Sequence, residues 1–233
     1  MVRSVIKRRG WFNSQEISQE NGWSGQGPKL LNLIWTQVRR PRVLRELLPY
    51  QIYNHLDGIN EVAQKSRMFV NLSKYYQSLG RDPFEILPVT YLIPSSANFE
   101  FHPQFKAFRT AAQEKGSIWI FKPGESSNQG KGIKVFKEYE KIKSHMAEYC
   151  RSAENKRGQG RHRHAIIQKY IKKPLLVHRR KFDIRVFALL VCHAETGIIR
   201  GYFYEEGYLR TSSKDYTPDK VDNRLIHLTN DAV

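Results

Sequence analysis

Trp119-Ile120-Phe121-Lys122-Pro123, then Gly124-Glu125-Ser126-Ser127-Asn128-Gln129-Gly130-Lys131-Gly132, then Ile133-Lys134-Val135-Phe136, is the stretch around which the chain is organised. Apolar runs lie on both sides of a small, polar, glycine-bearing loop, which is the pattern of strand, loop, strand. Lys122 closes the first strand, where a fixed cation could meet a phosphate. The loop holds three glycines and two serines, so its backbone N–H groups can approach an anion without interference from Cβ atoms. No Gly-Lys-Ser/Thr step occurs, which excludes a Walker-type phosphate loop. A plain hairpin with a solvated turn has the same local pattern, so the decision passes to the residues around it.

Downstream, Ala165 to Ile171 reads as a strand running into a connector that Pro174 ends. Lys181 to Val191 alternates charged and apolar residues and then turns wholly apolar, which predicts one strand that is polar on one face at its start and buried later. A period of two puts Lys181, Asp183 and Arg185 on one strand face. Cation, carboxylate and cation in a row suit a phosphate-bearing ligand, and they equally suit a salt-bridge ladder on an exposed sheet. With Lys122 and its loop about sixty residues upstream, the two charged groups fit a nucleotide held between two sheets, its adenine edge at the backbone of Gln168 to Ile171. Ile198 to Tyr204 is a further strand, and Glu206-Gly207 turns the chain into Tyr208-Leu209-Arg210.

Upstream, Leu30 to Trp35 reads as a short buried strand after a Gly- and Ser-rich loop from Ser24 to Pro28. Asp57 to Tyr76 has helical period, with Asp57 as its expected N-cap and Lys65, Arg67 and Lys74 on a wet basic face. Prolines at 83, 88 and 94 restrict the apolar segment between them to an edge strand or extended chain. Phe101, Phe105 and Phe108 mark a helix from Phe99 to Glu114, and Glu138 to Tyr149 marks another. Arg151 to His164 is polar, Gly- and Arg-rich, and reads as a surface loop.

The chain has 233 residues, 40% of them hydrophobic and 12% aromatic, enough for a folded protein of one large domain or two modest ones. Thirty-nine Lys and Arg against 22 acids give a net charge of +17, which favours a polyanionic partner: nucleic acid, an anionic membrane, nucleotide phosphates or an acidic protein tail. No apolar run reaches the roughly 18 residues of a membrane span, and no apolar core follows Lys7-Arg8-Arg9 to make a signal peptide. Cys150 and Cys192 lack ligand spacing, which points to a reducing compartment without a structural disulfide; His162 and His164 have no cysteine pair beside them, so no metal ligands are expected. Aromatic and basic residues do not interleave as in an RNA-binding module, so nucleic acid is an unfavoured partner.

Five motifs in order resemble the tubulin–tyrosine ligase-like family: Asn54-His55-Leu56-Asp57-Gly58-Ile59-Asn60-Glu61; Lys122-Pro123 with Gln129-Gly130-Lys131-Gly132-Ile133; Gln168-Lys169-Tyr170-Ile171 with Pro174-Leu175-Leu176; Arg180-Lys181-Phe182-Asp183-Ile184-Arg185; and His227-Leu228-Thr229-Asn230. The resemblance covers about residues 50 to 233 and implies an α+β, ATP-grasp-like fold, in which two β-sheet lobes flanked by helices clamp a nucleotide. On that frame residues 1–57 form a small N-terminal β/α lobe, 58–170 the central lobe with the flexible glycine loop, and 171–233 a partial C-terminal lobe.

The resemblance further implies that Lys122 contacts the phosphates of ATP and that Gln129, Gly130, Lys131 and Gly132 close over them, Gln129 also reaching substrate. Gln168, Lys169, Tyr170 and Ile171 would form the adenine connector. Lys181 and Asp183 would stand at the ATP and substrate junction, with Arg185 beside them as the third catalytic residue. Arg210 would hold the carboxylate of the incoming amino acid, and Thr229 and Asn230 would add nucleotide contacts. The implied activity is ATP-dependent attachment of tyrosine or glutamate to a tubulin tail through an acyl phosphate, with a free amino acid, tubulin or microtubules as partners, and a cytoplasmic, cytoskeletal location that includes cilium and basal body.

The chain ends at Val233, directly after the Thr-Asn motif, and the acidic and asparagine magnesium ligands of the family are expected beyond it. Asp183 alone offers a carboxylate, so an incomplete, weakly active or inactive ligase is expected, and the rival is a non-catalytic tubulin or microtubule binder. Glu206 to Ser213 resembles the tyrosine ligase, whereas Asp57 to Tyr76 resembles the glutamylating and glycylating members, which leaves polyglutamylase or glycylase as the alternative.

Overall fold

The computed structural model describes residues 32–124, 130–154, 164–193 and 195–229. The chain divides into two compact units, one of residues 1–59 with 188–202 and one of residues 60–187 with 203–233. Expectations for the glycine loop at 125–129, the basic loop at 155–163, the loop before Leu30 and the last four residues lie outside the described residues.

In the first unit β1 (Leu33–Ile34) and β2 (Ile52–Tyr53) pair in parallel and are joined through α1 (Pro41–Glu46). Of the buried strand expected at 30–35, the described residues place Leu33–Ile34 in a strand, with Ile34 buried and Trp35 exposed. Asn54 accepts from the Thr36 amide and donates to the Thr36 carbonyl, 2.9 Å each, so its side chain acts as another rung of the pair.

The second unit opens with α2 (Asn60–Ala63) and α3 (Lys65–Ser78). These replace the one helix expected from Asp57. Gln64 is extended at the break, and Asp57 pairs with Arg39 within the first unit instead of capping. Two short turns of 3-10 helix, Pro83–Glu85 and Phe99–Phe101, flank β3 (Thr90–Pro94). Then come α4 (Pro103–Ala112), β4 (Trp119–Pro123), β5 (Lys134–Phe136), α5 (Tyr139–Glu154) and β6 (His164–Lys169). Pro103 sits at the start of α4, where a missing N–H costs nothing, which is why this helix begins after the turn at Phe99–Phe101 and not at Phe99.

β3, β6, β4 and β5 form one sheet in the order β3-β6-β4-β5, antiparallel throughout. β3 is the edge strand that its prolines require. The strand–loop–strand reading of 119–136 is the β4–β5 pair, with Trp119 opposite Phe136.

Alternation on β4 and β6 then decides what each face of the sheet does. Trp119, Phe121, Ala165 and Ile167 point to one face, where Phe105 and Phe108 of α4 and Ile142, Met146 and Cys150 of α5 cover them as the main core. Ile142, Met146 and Cys150 recur every four residues, so one stripe of α5 supplies its whole buried side. Ile120, Lys122, Gln168 and Tyr170 have the other parity and point to the opposite face. That face carries the site.

The chain continues through β7 (Leu176–Val177) and β8 (Arg180–Arg185). The hairpin of β9 (Ala188–Cys192) and β10 (Ile199–Phe203) follows and belongs to the first unit up to Tyr202; β11 (Tyr208–Thr211) and α6 (Arg224–His227) belong to the second. β8 is the middle strand of a three-stranded antiparallel sheet in the order β11-β8-β7. The expected single strand from Lys181 to Val191 is two strands, and its apolar end at 188–192 is exposed at every residue where burial was expected. An apolar run fixes strand propensity, but only a covering layer makes it a core. No helix among the described residues is long and apolar enough to cross a membrane.

Candidate functional site

A cleft of about 460 Å³ opens on the face of the four-stranded sheet opposite the main core, where Tyr216 and Val221 pack against Ile118, Ile120, Val135 and Tyr170. Pro88, Ile120, Ile171, Pro174, Leu175 and Phe182 give it an apolar wall, and Lys122 and Lys181 both enter it. The shape and chemistry suit a flat heterocycle carrying negative charge: an apolar slot beside two fixed cations.

Each lysine is held by its own polar chain. Lys122 Nζ donates to Gln168 Oε1 at 2.7 Å, Gln168 Nε2 donates to Thr90 Oγ1 at 2.8 Å, and the Thr90 hydroxyl donates to the Pro88 carbonyl at 2.7 Å. Register makes this possible, since Gln168 stands opposite Thr90 on one side and Ile120 on the other, one diagonal step from Lys122. On the second sheet, Lys181 Nζ donates to the Tyr170 hydroxyl at 3.2 Å and to the His227 carbonyl at 3.4 Å. The same ammonium lies 4.7 Å from the centre of the Tyr170 ring. Buried Ser212 clamps the Lys181 backbone, donating its amide to the Lys181 carbonyl at 2.7 Å and accepting the Lys181 amide at 3.2 Å.

Electrostatics mark the site as one that wants an anion. Burial, then the nearby ammonium groups of Lys181 and Lys65, lower the Lys122 pKa to about 8. Burial lowers Lys181 and Lys65 as well. Lys65 opens α3, and the amide of its neighbour Ser66 donates to the Gly124 carbonyl at 3.3 Å. That contact docks the helix start on the end of β4, and it needs glycine: a Cβ at 124 would sit 2.7 Å from the His164 carbonyl oxygen. Lys65, expected on a wet basic face, instead acts on Lys122 through its charge. No carboxylate lines the cleft among the described residues.

Asp183 and Arg210 are cross-strand partners on β8 and β11. Arg210 Nε donates to both Asp183 oxygens, at 3.1 and 3.2 Å, and its Nη2 donates to Oδ2. Burial works against ionisation of Asp183, but the hydrogen bonds from Arg210 and Thr229 and the charges of Arg210 and Arg185 outweigh it and hold the carboxyl below its ordinary range.

A profile of the tubulin-tyrosine ligase family matches residues 43–233. The chain belongs to that family. Human probable tubulin polyglutamylase TTLL2 is 28% identical over 237 residues, a match that covers 100% of this chain and 35% of the relative. Human tubulin polyglutamylase TTLL5 is 28% identical over 236 residues, covering 100% of this chain and 15% of the relative. The chain therefore spans well under half the length of these curated relatives. Among solved structures, the C-terminal domain of Pby1 from K. lactis, an ATP-grasp enzyme that interacts with the mRNA decapping enzyme Dcp2, superposes with a TM-score of 0.52 at 19% identity. It covers 95% of this chain and 57% of the Pby1 domain, and it shows the ATP-grasp-like α+β fold.

Placed on this member of the family, the expected site residues separate into groups. Lys122, Gln168, Tyr170, Ile171 and Lys181 line the cleft. Lys169 is a further lining residue, and its ammonium donates to Glu114, 2.7 Å distant. Asp183, Arg210 and Thr229 gather around one carboxylate, and Arg185 is exposed beside them. Gly130 and Gly132 have φ of +68° and +75°, and Lys131 between them is exposed. Gln129 and Asn230 lie outside the described residues.

The amides of Lys169 and Tyr170 are committed to the carbonyls of Val89 and Ile118, at 2.7 and 2.8 Å. Neither amide is therefore available to a ligand of the cleft. Thr90, Ser212 and His227 carry site geometry that sequence reasoning did not assign to them. Their role comes from register and buried hydrogen bonds, and no local pattern announces it.

Proposed function

We propose that this cleft binds ATP and serves an ATP-dependent tubulin–amino acid ligase, with glutamate as the amino acid added. The observation that carries the reading is that Lys122 and Lys181, from two different sheets, enter one cleft with an apolar wall. The glutamylase names of the relatives support glutamate over tyrosine, since TTLL2, TTLL5 and the human tubulin monoglutamylase TTLL4 all match nearly the whole chain.

The chemistry follows from what a carboxylate lacks. Its oxygen is a poor leaving group until ATP phosphorylates it; the amine then attacks the acyl carbon and inorganic phosphate departs. Lys122 and Lys181 neutralise phosphate oxygens, and their fixed positions cost no reorganisation at the moment of transfer. Asp183 and Arg210 form the neighbouring station, where Arg210 meets the carboxylate of the amino acid and Asp183 sets the guanidinium plane. Gly130 to Gly132 would keep water from the anhydride. The +17 net charge suits an acidic tubulin tail.

A magnesium ion belongs with such phosphates, but the described residues do not make a cage for it. Both oxygens of Asp183 are taken by Arg210, and no group of three His, Cys, Asp or Glu side chains gathers among the described residues.

The test is incorporation of labelled glutamate into tubulin by the purified chain, with tyrosine and ATP-free reactions alongside. ATP-dependent glutamate transfer supports the reading. ATP binding without transfer leaves a nucleotide-binding, non-catalytic tubulin binder, and absence of ATP binding removes both. Cytoskeletal location, with cilium as the finer expectation, follows from the same substrate and is tested by imaging the tagged protein in ciliated cells.

A further inference from the structure

Behind Lys181 lies a buried chain of hydrogen bonds that ends on a backbone carbonyl. His227 Nε2 faces the Lys220 carbonyl at 3.0 Å. A carbonyl only accepts, so Nε2 carries the proton and Nδ1 is left as an acceptor. Nδ1 is 2.8 Å from the Tyr170 hydroxyl, which must therefore donate to it, and this leaves the hydroxyl oxygen to accept from Lys181 at 3.2 Å. Every donor in the series points the same way: Lys181 to Tyr170, Tyr170 to His227, His227 to Lys220. His227 is buried, and burial lowers its pKa; the bond to the Lys220 carbonyl opposes this, and the charges of Lys181 and Lys137 add to the lowering, so the balance favours the neutral ring that the tautomer requires.

We propose that Tyr170 and His227 are positioning residues for Lys181, holding its ammonium in the cleft before the nucleotide arrives. A free lysine tip has four rotatable bonds to order when it meets a phosphate, and a tip already oriented loses less on binding. Tyr170 contributes twice, since its ring face receives the ammonium and its hydroxyl sets the direction. The inference rests on the reading that Lys181 meets the phosphates of ATP. It adds that the connector's tyrosine acts through its side chain and that the histidine at the end of α6 acts at a distance, without touching the ligand.

Binding of ATP and of adenosine to the 233-residue chain, measured by calorimetry for a double-mutant cycle, tests this. Tyr170→Phe keeps the ring and the fold and removes the hydroxyl. It is expected to weaken ATP about tenfold, the size of one lost hydrogen bond to a charged group, and to leave adenosine unchanged. In a Lys181→Met background the same change should cost nothing further. His227→Leu should match Tyr170→Phe, while His227→Gln, whose amide can both accept and donate, should restore most of the affinity. Equal losses from Tyr170→Phe with and without Lys181, or equal losses for ATP and adenosine, would overturn the positioning role while ATP binding by the unaltered chain keeps the nucleotide reading. Failure of the unaltered chain to bind ATP would overturn that reading and this one together.

Discussion

Asp183 and Arg210 face each other across the β8–β11 pair, and the guanidinium engages both carboxylate oxygens. Two residues 27 apart in sequence are thereby fixed as one unit beside the cleft. The pairing predicts a specific pH signature. The folded carboxyl is held below its ordinary pKa, so its stabilising effect is present above about pH 4 and is lost as pH falls through the lower folded value. Urea unfolding of the wild type and Asp183→Asn should differ at pH 6 by about 1 kcal/mol, since the pair is only partly shielded from solvent, and the gap should close towards pH 3. A gap that does not narrow in acid contradicts the pairing.

Lys122 predicts proton uptake. Its pKa of about 8 means that a growing share of the amine is neutral above that pH, while phosphates favour the charged form. ATP titrations at pH 8.5 in two buffers of different ionisation enthalpy should show net uptake of protons, and affinity should fall as pH rises through about 8. Without ligand the sign for stability reverses. Between the folded value and the ordinary lysine value of about 10.4 the unfolded chain binds the extra proton, so this residue's contribution to stability grows with pH. Lys122→Met should abolish the uptake.

Thr90→Val tests the first polar chain. The substitution is nearly isosteric, yet it leaves the Gln168 amide and the Pro88 carbonyl without their buried partner. About 1–3 kcal/mol of stability should be lost, together with several-fold weaker ATP binding as Gln168 ceases to hold Lys122. Unchanged melting temperature and affinity would show that this chain of bonds does not organise the lysine.

Phe108 and Phe101 sit seven residues apart and should behave oppositely. Phe108 is fully buried against Trp119 and Tyr91, and Phe101 is 74% exposed. Phe108→Ala should cost about 3–5 kcal/mol, and Phe101→Ala should stay within about 0.5 kcal/mol, by chemical denaturation. Comparable losses at both would contradict the packing of α4.

Much of the central sheet is legible in the sequence because its signals are local. Apolar runs around a glycine loop define β4 and β5, and proline spacing puts β3 on an edge. Alternation also puts Gln168 and Tyr170 on one face of their own stretch of chain. What local pattern cannot carry is the partner. Thr90 and Gln168 are 78 residues apart, and Tyr170 and His227 are 57 apart, so only strand register and tertiary packing reveal that they meet. Lys65 looked like a solvated charge because a helical period does not say what the helix end docks against. The apolar run at 188–192 looked buried for the same reason, since composition describes a surface and not the layer that covers it.

If Lys122 and Lys181 flank the phosphates of one nucleotide, a reactive ATP analogue should reach both amines. Adenosine diphosphopyridoxal carries an aldehyde near the position of the terminal phosphate, and borohydride fixes it to whichever amine it reaches. Peptide mapping after such labelling should find the adduct on Lys122 and Lys181, with excess ATP preventing it at both. Adducts spread over surface lysines, with these two unmodified or unprotected by ATP, would contradict the account.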